Sequence, residues 1–176
     1  MLPPSGDPNA AVLDLCSSWI SHYPKGYTAG RVVGLGMNAE ELKANEQLTE
    51  YVVQDLNASP RLPFGDGEFQ AVTCTVSFDY LSRPMECMAE LHRVMAPGGV
   101  CCLSFSNRMF PTKAVAVWSA TGDEDHARIL ASYFHYAPRG GWAPPVAADI
   151  TRPAGLGTLL SGGKGDPMYV VWSRKL

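Results

Sequence analysis

The chain lacks the cysteine and histidine spacing that is typical of structural zinc sites. Its five cysteines form no C-x-x-C pair, and none stands at a ligand spacing from a histidine. Most of them lie inside apolar runs, and their odd number is typical of buried, reduced thiols. The sequence therefore predicts no metal site, and it favours an intracellular protein because thiols stay reduced inside cells.

Long hydrophobic runs, a leader peptide and excess positive charge are missing as well. The longest apolar runs, such as residues 100–105, fall far short of the roughly 18 residues that span a bilayer. Residues 1–10 contain no Lys, no Arg and no apolar core, unlike a signal or transit peptide. The net charge of −3 creates no basic field for nucleic acid. We expect a cytoplasmic protein without a nucleic-acid partner or a membrane span; a plastid location would require a transit peptide that has been removed.

The residues that are present predict a single α/β domain over residues 1–176. This length, with 46% hydrophobic residues, allows one domain with a real core. Helix-like segments alternate with continuous apolar runs, which predicts a mostly parallel sheet flanked by helices. Residues 137–167 are rich in Gly, Pro and Ser and predict an irregular loop region. Strands are predicted at residues 11–15, 31–35, 51–53, 70–76, 100–106 and 168–173.

Turn and capping residues place helices between these strands. Asn38, with Glu41 three residues later, forms the pattern of a capping box. Pro84 suits the first turn of a second helix, which the Pro-Gly-Gly sequence at 97–99 ends. Three acids open a third helix at residues 123–136, where they favour the helix dipole.

The most informative stretch is residues 51–72. A short β-branched run leads to Asp55, and an acidic turn then leads into a second apolar run. An α/β sheet presents a carboxylate in this way at the carboxyl end of a strand, where such folds bind ligands. The stretch resembles the adenine-binding segment of class I S-adenosylmethionine-dependent methyltransferases, and residues 91–99 resemble the segment before the fifth strand of that family. The resemblance implies a Rossmann-like fold whose last strand is antiparallel to the rest.

A competing nucleotide pattern overlaps the same region. Gly34, Gly36 and Ala39 match G-x-G-x-x-A between a strand and a helix, with Asp55 about twenty residues further on. Under that interpretation Asp55 holds a ribose hydroxyl of NAD. The strand at residues 11–15 would then have no role, and the segments after Asp55 follow the methyltransferase order. We therefore favour the methyltransferase.

The resemblance implies S-adenosylmethionine as the cofactor. In the family, a strand-end acid and a glycine-rich loop contact the cofactor; here Asp14 keeps its place while Cys16 and Ser18 occupy glycine positions. Residues 36–38 replace the acid that normally clamps the ribose, and Asn38 is left to bond one hydroxyl. The implied cofactor-binding residues are Asp14, Cys16, Ser17, Ser18, Trp19, His22, Gly36, Met37, Asn38, Asp55, Leu56 and Ser77.

The stretches DLCSSWISHYP and GLGMNAEEL further resemble an uncharacterised methyltransferase-like family of photosynthetic organisms and bacteria. Its members carry an additional N-terminal segment, of the kind that often forms a lid over cofactor or acceptor. This chain starts almost at the first strand. We therefore expect either a missing lid segment, which would limit activity, or a protein partner.

Acceptor residues are assigned by their position alone. Methyl transfer is an in-line displacement that requires alignment and sometimes removal of a proton, so the sequence marks no catalytic residue. The segment after the fourth strand should face the methyl group, and the segment after the fifth should line the acceptor pocket. The substrate-binding residues predicted in this way are Tyr80, Asn107, Arg108 and Phe110. Core packing is an equal alternative for Tyr80 and Phe110, as is a surface ion pair for Arg108.

Two functions remain open. The leading hypothesis is an enzyme that transfers a methyl group from S-adenosylmethionine to an unidentified, small-molecule acceptor. The alternative is a non-catalytic interaction or assembly module, motivated by the altered glycine loop, the replaced ribose acid and the abbreviated N-terminus. Cofactor binding separates the two hypotheses.

Overall fold

A single sheet contains all seven strands of the described residues. The computed structural model describes residues 1–138, 140–151 and 166–176. The strands are β1 (Asp7–Leu15), β2 (Ala29–Gly36), β3 (Glu50–Val53), β4 (Phe69–Thr75), β5 (Met95–Phe105), β6 (Val146–Asp149) and β7 (Tyr169–Arg174). Their order across the sheet is β3-β2-β1-β4-β5-β7-β6. Strands β1 to β5 run parallel, whereas β7 is antiparallel to both β5 and β6. The six predicted strands and the antiparallel last strand are confirmed.

The strand order reverses between β1 and β4. From β1 the chain moves outwards to β2 and β3, then returns to the other side of β1 for β4 and β5. The crevice outside the carboxyl ends of such neighbouring strands is where open α/β sheets bind ligands. The topology therefore points to the ends of β1 and β4 as the place to look for a site.

The helices are α1 (Ala39–Ala44), α2 (Pro84–Val94), α3 (Ala116–Ser119) and α4 (Asp123–Tyr136). Asn38 caps α1 as predicted, since its Oδ1 accepts hydrogen bonds from the backbone N–H of Glu40 at 3.0 Å and of Glu41 at 3.4 Å. Pro84 is the first residue of α2, and α4 has the predicted bounds. The short α3 and a 3-10 turn at Phe78–Tyr80 were not predicted.

Helices α2 and α4 cover one face of the sheet and form the main core with it. Met88 and Leu91 of α2 and Phe134 of α4 are fully buried in the same cluster as Val72 and Leu103 of the sheet. The opposite face carries a smaller cluster. There Tyr23, from a stretch without helix or strand that follows β1, packs on Val12 and Val32. The chain between β1 and β2 thus covers this face without forming a helix.

Arg93 of α2 ties two of the informative sequence motifs together. Its guanidinium donates to the backbone carbonyls of Leu62 at 3.0 Å and Phe64 at 2.8 Å, and to Asp66 Oδ1 at 2.8 Å. Glu90, one turn earlier on α2, pairs with the same guanidinium at 2.7 Å. The acidic turn before β4 is therefore fixed to the helix that precedes β5.

The prediction of an irregular region at residues 137–167 is wrong for four of its residues. Val146–Asp149 form β6, the edge strand beside β7. All four residues are exposed, so burial imposes no apolar pattern from which the strand could be recognised. Residue 139 and residues 152–165 lie outside the described residues, and the prediction stands untested there. No helix in the described ranges is long and apolar enough to cross a membrane.

Candidate functional site

A pocket of about 610 Å³, which we call the main pocket, opens at the carboxyl ends of β1, β2, β3 and β4. Each of these strands sends the first residues that follow it into the pocket wall, and the chain after β5 closes one end. Pockets for small molecules commonly measure about 300–1,000 Å³. The residues that line it are Cys16, Ser17, Ser18, Leu35, Gly36, Met37, Asn38, Glu41, Gln54, Asp55, Leu56, Asn57, Ser77, Tyr80, Leu81, Phe110 and Lys113.

The loop after β1 forms the floor of this pocket and rests on the end of β2. Cys16 adopts a φ of 56°, the left-handed conformation that glycine ordinarily supplies. The backbone N–H of Ser17 donates to the carbonyl of Leu35 at 2.8 Å. A Cβ on Gly36 would collide with the carbonyl oxygen of Ser17. Glycine at position 36 is therefore what allows the loop to cross the end of β2.

The buried carboxylate of Asp14 fixes the same loop through a hydrogen bond. Asp14 is only 2% exposed, and its Oδ2 accepts a hydrogen bond of 2.6 Å from the hydroxyl of Ser17. Burial raises the pKa of Asp14 to about 6, against the lowering effect of hydrogen bonds that include those from Ser17 and Thr73. The hydroxyl of Thr73 lies 3.4 Å from Oδ1. Asp14 thus positions the loop without lining the pocket.

The end of β2 and the start of α1 present a second carboxylate. Glu41 lines the pocket and accepts hydrogen bonds from the hydroxyl of Ser18 and, at 2.9 Å, from Nδ2 of Asn38. Met37 projects into solvent and is 69% exposed. The polar groups on this wall therefore come from the capped first turn of α1 rather than from the last residue of β2.

The segment after β3 supplies an acid beside an apolar wall. The backbone N–H of Asn57 donates to Asp55 Oδ1 at 2.8 Å, which closes a short turn. Within the described residues, no hydrogen bond is donated to Asp55 Oδ2. Leu56 is buried, and Leu81 from beyond β4 lines the same part of the pocket. A hydrogen-bond acceptor next to an apolar slot suits a flat base that carries an amino group.

Aromatic groups and one cation form the end of the pocket that the chain after β5 closes, and Asn57 connects it to the turn at Asp55 through a hydrogen bond of 3.0 Å from its Nδ2 to the carbonyl of Tyr80. The Tyr80 hydroxyl accepts a hydrogen bond of 3.1 Å from the backbone N–H of Phe110, and the two rings lie 6.4 Å apart. Lys113 Nζ stands 5.3 Å from the centre of the Phe110 ring. Asp79 is buried beside Tyr80 but does not line the pocket, and burial raises its pKa to about 6. This end is suited to an apolar or aromatic ligand.

Comparison with known proteins agrees with the fold. The methyltransferase domain family matches residues 15–103, just over half of the chain. The chain belongs to this family. A curated relative, the demethylmenaquinone methyltransferase of Lactiplantibacillus plantarum, is 34% identical over an alignment of 125 residues that covers 64% of this chain. The alignment covers 53% of the relative, so the chain spans about half the length of that protein.

Solved structures of methyltransferases share the fold of this methyltransferase domain. An S-adenosylmethionine-dependent methyltransferase from Mesorhizobium loti superposes with a TM-score of 0.66 at 14% identity, over 99% of this chain and 94% of its own. A Haloferax volcanii chain, solved in complex with the Trm112 methyltransferase activator, gives a TM-score of 0.64 at 17% identity, over 98% of this chain and 84% of its own. The predicted class I methyltransferase superfamily is confirmed. The narrower resemblance to one uncharacterised family stays a prediction.

The pocket at the strand ends brings together most of the residues that the sequence singles out. Those that line it are Cys16, Ser17, Ser18, Gly36, Met37, Asn38, Asp55, Leu56, Ser77, Tyr80 and Phe110. They come from the ends of four strands and from the loop after β5, as the resemblance implies. Their individual roles towards a cofactor or an acceptor stay predictions.

Other predicted residues lie elsewhere. Trp19 is 57% exposed and is not packed in the core. His22, which also has a positive φ, lines a separate cavity of about 200 Å³ with Thr73 and Cys102, on the sheet face opposite α2 and α4. Asn107 and Arg108 are exposed outside the main pocket, and Arg108 pairs with Asp166 at 2.5 Å. Together with the buried Asp14, these residues are not part of the pocket lining.

Sequence reasoning missed six lining residues, namely Leu35, Glu41, Gln54, Asn57, Leu81 and Lys113. Gln54 and Asn57 flank Asp55 and Leu56, so a wider window around that motif would have included them. Glu41 was recognised only as the partner of Asn38 in helix capping. Lys113 carries no signal in the sequence, because its place depends on how the chain after β5 folds back over Tyr80.

Proposed function

We propose that this chain binds S-adenosylmethionine in the main pocket and transfers its methyl group to a small-molecule acceptor. One observation carries the proposal: the ends of four neighbouring strands meet around one pocket, whose lining includes Asp55, Tyr80 and Phe110. Membership of the methyltransferase domain family and the structural likeness to S-adenosylmethionine-dependent enzymes support it.

The lining residues match the three parts of the cofactor. Asp55 Oδ2 accepts the adenine amino group, with Leu56 and Leu81 against the base. Polar groups of Asn38 and Glu41 lie on the wall next to this slot and suit the ribose. The loop at residues 16–18 lies at the methionine end, where the backbone N–H of Ser18 can donate; the hydroxyls of Ser17 and Ser18 already donate to Asp14 and Glu41. The pocket volume of about 610 Å³ leaves room for an acceptor beside the cofactor.

S-adenosylmethionine supplies a methyl group that is already strongly electrophilic. The protein's task is therefore alignment of donor and acceptor, which gains rate by removing translational and rotational freedom. Tyr80 and Phe110 form the apolar surface on which the acceptor is oriented. The backbone N–H of Phe110 donates a hydrogen bond to the Tyr80 hydroxyl, which fixes the Tyr80 ring. No residue is assigned as a general base.

The acceptor is a small molecule with an apolar or aromatic part. The aromatic end of the pocket favours such a ligand, and the chain's net charge of −3 disfavours nucleic acid. The demethylmenaquinone methyltransferase among the relatives acts on a molecule of this kind by its name, which makes aromatic quinols the first acceptors to test.

A second candidate function is an interaction module that needs a protein partner. Trp19 and Ile20 are adjacent and more than half exposed, directly after the loop that forms the pocket floor. Exposed neighbouring apolar side chains mark interaction sites more often than single ones do. The Haloferax volcanii structure shows a chain of this fold in complex with an activator. Under this alternative, cofactor binding by the isolated chain is absent.

Calorimetric titration with S-adenosylmethionine and S-adenosylhomocysteine tests the proposal. We expect micromolar binding by the wild-type chain. Asp55→Ala should weaken it roughly 10-fold to 100-fold, because a charge-assisted hydrogen bond contributes about 1.5–3 kcal/mol. Asp125→Ala, an exposed acid at the start of α4, is the matched control and should bind like the wild type. Absence of heat up to millimolar ligand would refute the proposal and favour the interaction module.

A further inference from the structure

The end of β2 holds no side chain that is free to accept hydrogen bonds from a ligand's hydroxyl groups. Gly36 has no side chain, and the carbonyl of Ser17 occupies the space in which one would begin. Met37 is apolar and turned to solvent. Asn38 has no free acceptor for a hydroxyl proton, because its Oδ1 accepts the two hydrogen bonds that cap α1, and its Nδ2 carries only N–H donors, one of which is used by Glu41. Any carboxylate on this wall must therefore come from further along the chain.

Glu41 is that carboxylate. It is the third residue of α1, in the first turn, where its side chain reaches back to the cap residue Asn38, and it is partly buried in the pocket wall. Its two oxygens each accept one hydrogen bond, Oε1 from Asn38 and Oε2 from Ser18. A carboxylate oxygen has two acceptor positions, so each oxygen keeps one for a ligand.

The environment of this carboxylate contains donors but no cation. Within the described residues no Lys, Arg or His lies within 4.0 Å of Glu41, whereas Glu50, Glu68, Glu86 and Glu90 all have an arginine partner. The neutral donors Ser18 and Asn38 fix the orientation of the group without neutralising its charge. A partly buried, oriented and unneutralised carboxylate in a pocket is suited to accept hydrogen bonds from a ligand.

We propose that Glu41 binds the two vicinal hydroxyls of the cofactor ribose, in place of an acid at the end of β2. This inference rests on the proposed function, because it assigns the ribose to the wall between Asp55 and the loop at residues 16–18. Ser18 and Asn38 act as positioning residues that hold the carboxylate towards the pocket. The sequence analysis predicts that Asn38 bonds one ribose hydroxyl; in this proposal Asn38 instead orients Glu41.

The inference predicts that Glu41 determines selectivity for a diol. A site built to accept hydrogen bonds from hydroxyls discriminates strongly against analogues that lack them, since its polar groups then lose their partners. The wild-type chain should therefore bind S-adenosylhomocysteine at least roughly tenfold more tightly than its 2′-deoxy or 3′-deoxy analogue. Glu41→Ala should lose that preference, and Glu41→Gln should retain part of it.

The experiment is calorimetric titration of these three ligands into wild type, Glu41→Ala, Glu41→Gln and the control Glu40→Ala. Glu40 is the exposed neighbour in α1 and does not line the pocket. We expect Glu41→Ala to weaken binding of S-adenosylhomocysteine most, by about tenfold or more, and binding of each deoxy analogue, which keeps one of the two hydroxyls, by a smaller factor. Glu40→Ala should match wild type for all three. A smaller loss for the deoxy analogues than for S-adenosylhomocysteine also shows that the pocket has kept its shape, because a general distortion would weaken all three ligands equally.

Each contrary result is distinct. Equal losses for all three ligands in Glu41→Ala would give Glu41 a merely structural role and overturn the inference. Wild-type binding that depends on Asp55 but not on Glu41 would overturn the inference and leave the proposed function intact. Failure of the wild-type chain to bind S-adenosylhomocysteine would overturn both.

Discussion

The buried carboxyl of Asp14 makes the stability of this domain depend on pH in a specific direction. Burial raises the pKa of Asp14 from 3.8 to about 6, so the folded state binds the proton more tightly than the unfolded state. The contribution to stability is fully present below pH 3.8 and is lost as the pH rises through 6. One pKa unit corresponds to about 1.4 kcal/mol, so the full loss is about 3 kcal/mol.

Asp14→Asn removes this titration and keeps an oxygen that can accept the hydrogen bond from Ser17. About 1 kcal/mol of the loss has already occurred at pH 4.5, which leaves about 2 kcal/mol between pH 4.5 and pH 7.5. We therefore expect the free energy of unfolding of the variant, relative to wild type, to rise by about 2 kcal/mol over that interval. Other groups titrate equally in both proteins and cancel in this difference.

Urea denaturation at both pH values, followed by tryptophan fluorescence, measures this change. Asp125→Asn replaces an exposed carboxyl on α4 and serves as the control; its difference from wild type should stay within about 0.5 kcal/mol at both pH values. The reasoning is refuted if the relative stability of Asp14→Asn is the same at pH 4.5 and 7.5, or falls as the pH rises. Either result would mean that the Asp14 carboxyl is better solvated or more strongly bonded than its burial implies.

Two further predictions concern the loop that crosses the end of β2. Gly36→Ala places a Cβ against the Ser17 carbonyl and should lower the free energy of unfolding by about 1–3 kcal/mol and weaken S-adenosylhomocysteine binding. Gly122→Ala, where a Cβ meets nothing, should leave binding unchanged and should destabilise the protein by no more than about 1 kcal/mol, because alanine is a poorer N-cap of α4 than glycine. A stable Gly36→Ala protein with normal binding would disprove the close approach. Cys16→Gly should leave the unfolding free energy within about 1 kcal/mol of wild type, because glycine adopts a positive φ without strain, whereas β-branched Cys16→Val should lose about 1–3 kcal/mol. Equal stability of the two Cys16 variants by urea denaturation would contradict the conformation assigned to this residue.

The sequence was most informative where local chemistry alone decides the structure. Continuous apolar runs identified β1, β2, β4 and β5, because these strands are largely buried on both faces. Asn38 and Pro84 marked helix starts correctly, since capping and the geometry of proline act within one turn. The edge strand β6 was missed for the opposite reason: its residues are all exposed, and only pairing with β7 makes it a strand.

The candidate site was predictable at strand ends and unpredictable where the chain changes direction. Asp55 and Ser77 follow strands directly, so topology alone carries them to the pocket. His22 also follows a strand closely. The chain there has positive φ values at Cys16 and at His22 itself, and it reaches the sheet face opposite α2 and α4 instead of the pocket. Lys113 reaches the pocket because the chain after β5 folds back on Tyr80. Neither turn is encoded in a pattern that the sequence displays.

The departures from the usual glycine-rich loop and strand-end acid are physically linked. A loop that carries side chains at residues 16–18 lies close over β2, and its Ser17 carbonyl leaves room at position 36 for glycine alone. An acid restored at position 36 would therefore be driven into that carbonyl rather than towards the pocket. The same loop supplies the Ser18 hydroxyl that orients Glu41. The loop that excludes a carboxylate from the end of β2 thus holds the carboxylate of Glu41 on α1 in place. The side chains in the loop and the missing strand-end acid therefore belong to one structural arrangement.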